Sequence, residues 1–237
     1  MLTKTKIDWT EKTWIPVTGC AKISPGCLHC YAERMAFRCK CMGLEKYKNG
    51  FNLAVHPETL NEPLRIKKPM MIFVNSMSDL FHKDVPLEFI QEVFAVMGKA
   101  PKHTFQVLTK RAERLAELAP TLTWWPNVWM GVTVERQDYL HRLDCLRTVP
   151  ATVRFTSFEP LLGPLHEINL DGIGWVIVGG ESGSGARPME PAWATDIRDQ
   201  CLAKKIPFLF KQWGGVRKQK NGKLLDGREW MEYPVAI

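Results

Sequence analysis

The sequence predicts an α/β protein built on a parallel sheet, and three observations predict it. Six short apolar runs rich in β-branched and aromatic residues recur from residue 70 onward. Segments with apolar residues at helical spacing lie between several of them. Each run gives way at its carboxyl end to a polar stretch, the position where parallel α/β folds gather their chemistry. Strand alternating with helix means βαβ units with right-handed crossovers. A length of 237 residues suits one domain, and a (β/α) barrel of this size is ordinary. With 45% hydrophobic and 24% charged residues the chain can bury a full core, which excludes a disordered class.

Taken in order, residues 1 to 31 read as a polar lead-in and loop, with short β-leaning pieces at Ile7–Thr10 and Thr13–Val17. Pro16 argues against a helix there. Trp9 and Trp14 fit core packing better than a cover over the loop that follows. Tyr31 to Arg38 contains good helix formers, with Ala32, Met35 and Ala36 on one side. Residues 39 to 69 have no clear period, and Lys48-Asn49-Gly50, Pro57 and Pro63 break them up.

The expected strands are Met70–Val74, Thr104–Leu108, Val128–Val132, Val153–Thr156, Trp175–Val178 and Pro207–Phe210. The expected helices are Pro86–Met97, Arg111–Leu118, Asp138–Leu146 and Ala192–Ala203. Past Gly214, Asn221-Gly222 signals a small hairpin or tail. No Gly-, Ser- or Pro-rich linker divides the chain. The expected organisation is therefore one domain over 1–237, with a cysteine-loop region (1–69), βα repeats (70–213) and a C-terminal tail (214–237).

The strand ends carry Asn75-Ser76-Met77-Ser78-Asp79, Thr109-Lys110-Arg111, Thr133-Val134-Glu135-Arg136, Ser157-Phe158-Glu159-Pro160, Gly179-Gly180-Glu181-Ser182 and Lys211-Gln212-Trp213. One polar strand end is unremarkable, but six in succession describe the lining of one pocket. Glu135, Glu159 and Glu181 are the candidate catalytic carboxylates. Ser78, Asp79 and Asp138 also fit helix caps. The Gly-rich stretch after Gly179 is neither a Walker motif nor a dinucleotide fingerprint.

The chemistry concentrates in Cys20-Ala-Lys-Ile-Ser-Pro-Gly-Cys27-Leu-His-Cys30, which sets three thiols within eleven residues. A Pro25-Gly26 turn lets all three sulfurs reach one centre, and such spacing marks metal or iron–sulfur ligands. Seven cysteines, an odd number clustered toward the N-terminus, argue for a metal or redox site in a reducing compartment over a disulfide framework. The first residues lack the features of a secretory signal and no run is long and apolar enough to span a membrane, so the expected location is the cytoplasm. A net charge of +7 suits a polyanionic partner such as nucleic acid. The excess is spread along the chain, with only the loose run Arg217-Lys218-Gln219-Lys220 as a cluster.

Three cysteines in an N-terminal loop, followed by about six βα units, resemble the radical S-adenosylmethionine enzymes. More narrowly, Trp14 to Cys20, Cys30-Tyr31-Ala32-Glu33, Ser157 to Pro160 and Gly179 to Ser182 resemble a phage and bacterial family of three-Cys-motif proteins. The resemblance implies a partial (β/α)6 TIM-like barrel of parallel strands. It implies a 4Fe–4S cluster held by Cys20, Cys27 and Cys30, with S-adenosylmethionine on the fourth iron. Cluster reduction would then yield a 5′-deoxyadenosyl radical that abstracts hydrogen from substrate. His29 matches the position that packs near the adenine. Gly179-Gly180-Glu181 resembles the family's Gly-Gly-Glu segment but follows a late strand where the family has an early one. Asn75, Ser76, Ser78 and Asp79 are therefore expected beside the methionine moiety, with Lys110 also binding cofactor. The first cysteine gap is six residues where the family has three. A reductant protein would be a partner, and the substrate a nucleic acid or nucleotide met by Lys110, Arg111, Arg187 and Lys211. If the protein is phage-encoded, the location is the host cytoplasm.

Two other expectations compete. One is a nucleic-acid- or partner-binding protein without catalysis, stapled by zinc (Zn2+) through Cys20, Cys27, Cys30 and one of Cys39, Cys41 or His29. The other is a barrel hydrolase or lyase using the three glutamates, with structural thiols.

Overall fold

Side chains that alternate in direction along each apolar run give the sheet two buried faces, and this decides the architecture. The computed structural model describes residues 2–5 and 7–235, and the side chains of Lys4, Lys218 and Gln219 lie outside that description. The strands are β1 (Thr3–Lys4), β2 (Lys12–Trp14), β3 (Val17–Thr18), β4 (Ala54–Val55), β5 (Met71–Val74), β6 (Thr104–Thr109), β7 (Val128–Thr133), β8 (Val153–Phe158), β9 (Trp175–Gly179), β10 (Phe208–Gln212), β11 (Leu224–Leu225) and β12 (Arg228–Glu229). The helices are α1 (Tyr31–Cys41), α2 (Leu87–Lys99), α3 (Ala112–Leu118), α4 (His141–Arg147), α5 (Pro191–Ala203) and α6 (Lys218–Asn221).

The main sheet runs β1-β2-β5-β6-β7-β8-β9-β10. From β2 to β10 every pairing is parallel, so seven parallel strands curl into a half-barrel, and β1 adds antiparallel at the edge. The expected partial TIM-like barrel is present. Six strands were expected and a seventh, β2, comes from the segment read as a lead-in. It is three residues long and pairs Lys12, Thr13 and Trp14 with Ile72, Phe73 and Val74. So short a strand has no period of its own and exists because β5 offers it an edge.

On the convex face Ile72, Val74, Phe105, Val107, Met130, Val132, Val176 and Val178 pack under the helices. Helix α2 buries Phe89, Ile90, Val93, Phe94, Val96 and Met97 against them. The concave face carries the alternate residues, and Trp9, Phe73, Trp129, Phe155 and Trp175 form an aromatic floor. Gly131 makes that floor possible: a Cβ there would stand 2.6 Å from the Phe155 ring. Trp14 is fully buried in the convex core and donates to the Thr59 carbonyl at 3.0 Å, so neither tryptophan caps the thiol loop from outside. The terminal hairpin forms as β11 and β12, but it turns at Asp226-Gly227, both at positive φ, while Asn221-Gly222 closes α6. No described helix is long and apolar enough to cross a membrane.

Candidate functional site

The sheet's register places all seven parallel strand ends at one mouth, and the cysteine segment crosses that mouth as a bridging loop. Its first limb is fixed by Gly19 at φ 78°, where a Cβ would stand 2.2 Å from the Asn52 carbonyl oxygen. Pro25 then opens a single 3-10 turn, Pro25–Cys27, closed by the Cys27 amide donating to the Ser24 carbonyl at 2.9 Å. Cys30 stands at the N-cap position of α1, the loop-to-helix transition the sequence predicts.

Four strand ends hold this loop in place. At β6, Arg111 donates to Cys20 Sγ at 3.4 Å and to the Ala21 carbonyl at 3.0 Å, while its pair with Asp79 lies at 2.9 Å. At β7, Glu135 accepts the Ser24 hydroxyl at 2.6 Å. At β9, Glu181 pairs with Arg187, which donates to the Pro25 carbonyl at 2.9 Å. At β5, the Tyr31 hydroxyl donates to the Ser76 carbonyl. Helix α1 adds Arg34, which donates to the carbonyls of Ser182 and Ser184 at 2.9 and 3.0 Å. Gly183 admits that guanidinium, since a Cβ there would lie 2.4 Å from it.

Beneath the loop is a cavity of about 630 Å³ with Trp9, Phe73 and Leu108 among its lining. All three expected metal ligands, Cys20, Cys27 and Cys30, line it, as do His29, Asn75, Ser76, Ser78, Asp79, Lys110, Glu159, Gly180 and Glu181. Gly179 does not line it, and a Cβ there would meet the Glu159 carboxyl group at 3.4 Å. Glu135, expected as catalytic, is fully buried beside the cavity and does not line it. It pairs with Arg142 at 3.0 Å and with Lys110 at 3.5 Å, so its position suits holding the loop and not touching a substrate.

Asp79 caps no regular helix. It accepts from the Phe81 and Lys110 amides, the Thr109 hydroxyl and Arg111, all within 3.1 Å. Ser78 donates to the Val17 carbonyl at 2.8 Å. Asn75, at φ 62°, accepts the Val17 amide on its Oδ1, while among the described residues its buried Nδ2 and the buried Ser157 Oγ have no hydrogen-bond partner. The four cations expected to meet a substrate anion are already engaged. Arg111 holds Asp79, Arg187 holds Glu181, Lys211 pairs with Glu159 at 2.6 Å and Lys110 with Glu135. Arg38 on α1 also lines the cavity and is exposed, with no ion pair among the described residues.

Burial pushes the Cys20 thiol up to about 11, reinforced by Asp79 and opposed by Arg111. Burial also raises Glu181, but the hydrogen bonds from Arg187 outweigh it and hold the carboxyl below its ordinary value. Among the described residues no three His, Cys, Asp or Glu side chains gather as a single-ion site. Cys39 packs with the small cluster of Ala32, Ala36, Tyr47 and Met77, and Cys41 is exposed. A zinc staple needs four donors converging on one point. A cluster asks less, because each thiolate binds a different iron. Three free thiols lining one cavity, with buried amide and hydroxyl groups at its strand ends, fit a cluster and its organic ligand better than zinc.

Sequence reasoning missed Arg34 and Arg142. Arg34 had a signal, being four residues past Cys30 on the helix that leaves the loop. Arg142 had none, since an arginine in a polar-looking helix reads as surface.

In fold the half-barrel is similar to solved structures of spore photoproduct lyase. Spore photoproduct lyase complexed with dinucleoside spore photoproduct aligns with a TM-score of 0.51 at 11% identity, over 76% of this chain and 58% of that one. A cysteine-to-serine mutant of the lyase aligns with a TM-score of 0.52 at 14% identity, over 86% and 64%. A tyrosine-to-phenylalanine mutant aligns with 0.52 at 12%, over 76% and 58%. The chain thus spans about three fifths of the length of these proteins. In sequence, residues 4–234 match the family described as "Protein of unknown function (DUF5131)", and the chain belongs to that family. No curated protein matches the sequence. The narrower expectation of a phage and bacterial three-Cys family receives no support from these comparisons.

Proposed function

We propose that this protein is a radical S-adenosylmethionine-type enzyme acting on a nucleic acid or nucleotide. Cys20, Cys27 and Cys30 would hold a 4Fe–4S cluster, and Asn75 to Asp79, His29, Lys110 and Gly180 would receive S-adenosylmethionine. The observation that carries the reading is the placement of all three thiols on the wall of one cavity, at the carboxyl ends of a half-barrel. When bound, the pair supplies reductive cleavage of a sulfonium and abstraction of a hydrogen atom from substrate.

The chain's own residues would do the rest. Arg111, Glu135 and Arg187 hold the thiol loop over the mouth, and the aromatic floor excludes water from below. Asn75 to Asp79 follow β5, the second parallel strand, which agrees with an early-strand position for the methionine segment. Glu159 and Glu181 line the cavity in ion pairs, which suits orienting a substrate better than moving protons. A nucleic-acid substrate is supported by the net charge of +7, by the exposed Arg38 at the cavity and by the dinucleoside held by the similar lyase. Free thiols and a need for reducing power suit the cytoplasm and a reductant protein as partner.

Anaerobic reconstitution tests the reading. The protein is expected to take up about four irons per chain and to cleave S-adenosylmethionine when reduced. Cys27→Ala should abolish iron uptake, while Cys145→Ala and Cys201→Ala should keep it. Stoichiometric zinc with no iron uptake would falsify the proposal.

A further inference from the structure

We infer that Glu135 is a positioning residue for Cys27 and that, through the Ser24 hydroxyl, it governs hydrogen bonding to that sulfur; the inference rests on the cluster reading above. Glu135 is fully buried, and both of its carboxylate oxygens are engaged. Its Oε2 accepts Arg142 at 3.0 Å, and its Oε1 accepts Ser24 at 2.6 Å with Lys110 at 3.5 Å. Gly26 completes the contact. Its φ is not positive, so it is not glycine for conformational freedom; a Cβ would stand 2.4 Å from Glu135 Cγ. The Pro25-Gly26 turn thus rests directly on this carboxylate.

The Ser24 hydroxyl has one proton and two acceptors within reach, Glu135 Oε1 at 2.6 Å and Cys27 Sγ at 3.6 Å. The hydroxyl donates to the carboxylate at the shorter distance, which leaves the Cys27 sulfur without a donor from Ser24. Glu135→Gln would reverse this. Arg142 donates at 3.0 Å and is the nearer of the two cations, Lys110 standing 3.5 Å from Oε1, so the amide oxygen takes the Oε2 position and the amide nitrogen faces Ser24. It then donates to Ser24 Oγ and frees the hydroxyl proton to point at Cys27. Hydrogen bonds to cluster sulfurs and local net charge both set the reduction potential, so the substitution acts twice in the same direction.

The test has two arms. In the metal-free protein, amide exchange across residues 24–28 should quicken about tenfold in Ser24→Ala, the loss of one charge-assisted hydrogen bond. In the reconstituted protein, Glu135→Gln should keep its iron and show a more positive cluster potential. Ser24→Ala should show no such rise, and Ser24→Ala with Glu135→Gln should recover only the part due to charge. Full iron loading of Glu135→Gln at an unchanged potential overturns the inference. So does unchanged loop exchange in Ser24→Ala, which is readable even if the unsubstituted protein takes up no iron and the enzyme proposal itself fails.

Discussion

Replacing Arg142 with methionine removes the cation from a fully buried carboxylate while keeping most of the aliphatic stem. Arg142 is only 3% exposed and donates to Glu135 at 3.0 Å and to the Thr133 carbonyl at 2.7 Å. Its guanidinium also lies 4.4 Å from the Tyr139 ring centroid. Breaking a buried pair costs about 3–5 kcal/mol because the remaining charge is stranded. Lys110, at 3.5 Å, offsets part of that, so the lower end of about 3 kcal/mol applies. The Thr133 carbonyl adds about 1 kcal/mol, for a total near 4 kcal/mol. With a urea m-value of about 2–3 kcal/mol/M, the unfolding midpoint followed by circular dichroism should fall by about 1.3–2 M. Glu135→Gln in the same protein removes the stranded charge and should restore about 2 kcal/mol, a coupling the double-mutant cycle reads directly. A loss of under about 1 kcal/mol in Arg142→Met, or strict additivity, would refute the claim that this pair anchors the loop.

Gly131→Ala should destabilise by about 1–3 kcal/mol through overpacking against Phe155, and pairing it with Phe155→Leu should recover much of that in the same urea assay. His56, His82 and His103 are each held below the ordinary imidazole value, first by burial. The unfolded chain binds their protons more readily, so their contribution is full above about pH 6.5 and lost as pH falls through the depressed folded values. The urea midpoint should therefore decline from pH 7.5 toward 5, and a flat profile refutes the assignment. Arg34→Ala should release the 182–184 loop, seen as faster amide exchange there with the global midpoint nearly unchanged.

Much of this molecule is legible without its coordinates. The six apolar runs, the helices between them and the polar strand ends each announce themselves through local period and residue type, and the thiol loop does so through spacing. The helix expected from Tyr31 and the four expected between the strands all form, although Asp138–Leu146 divides into a 3-10 turn at Gln137–Tyr139 and helix α4. Strand β2 was not legible because three residues carry no period, and their conformation is imposed by an edge more than fifty residues away in sequence. The partners of Glu135 were equally hidden. Nothing in the residues around Glu135 distinguishes it from Glu159 or Glu181, yet one lies under the loop and the others line the cavity. Periodicity and cysteine spacing are short-range properties of the chain, so the sequence alone determined the kind of fold and the kind of donor atoms. Which strand-end groups hold the thiol loop, and which side chains face the cavity, depends on contacts such as Ser24 with Glu135 and Arg34 with Ser182, 111 and 148 residues apart, and those exist only once the half-barrel has closed around its mouth.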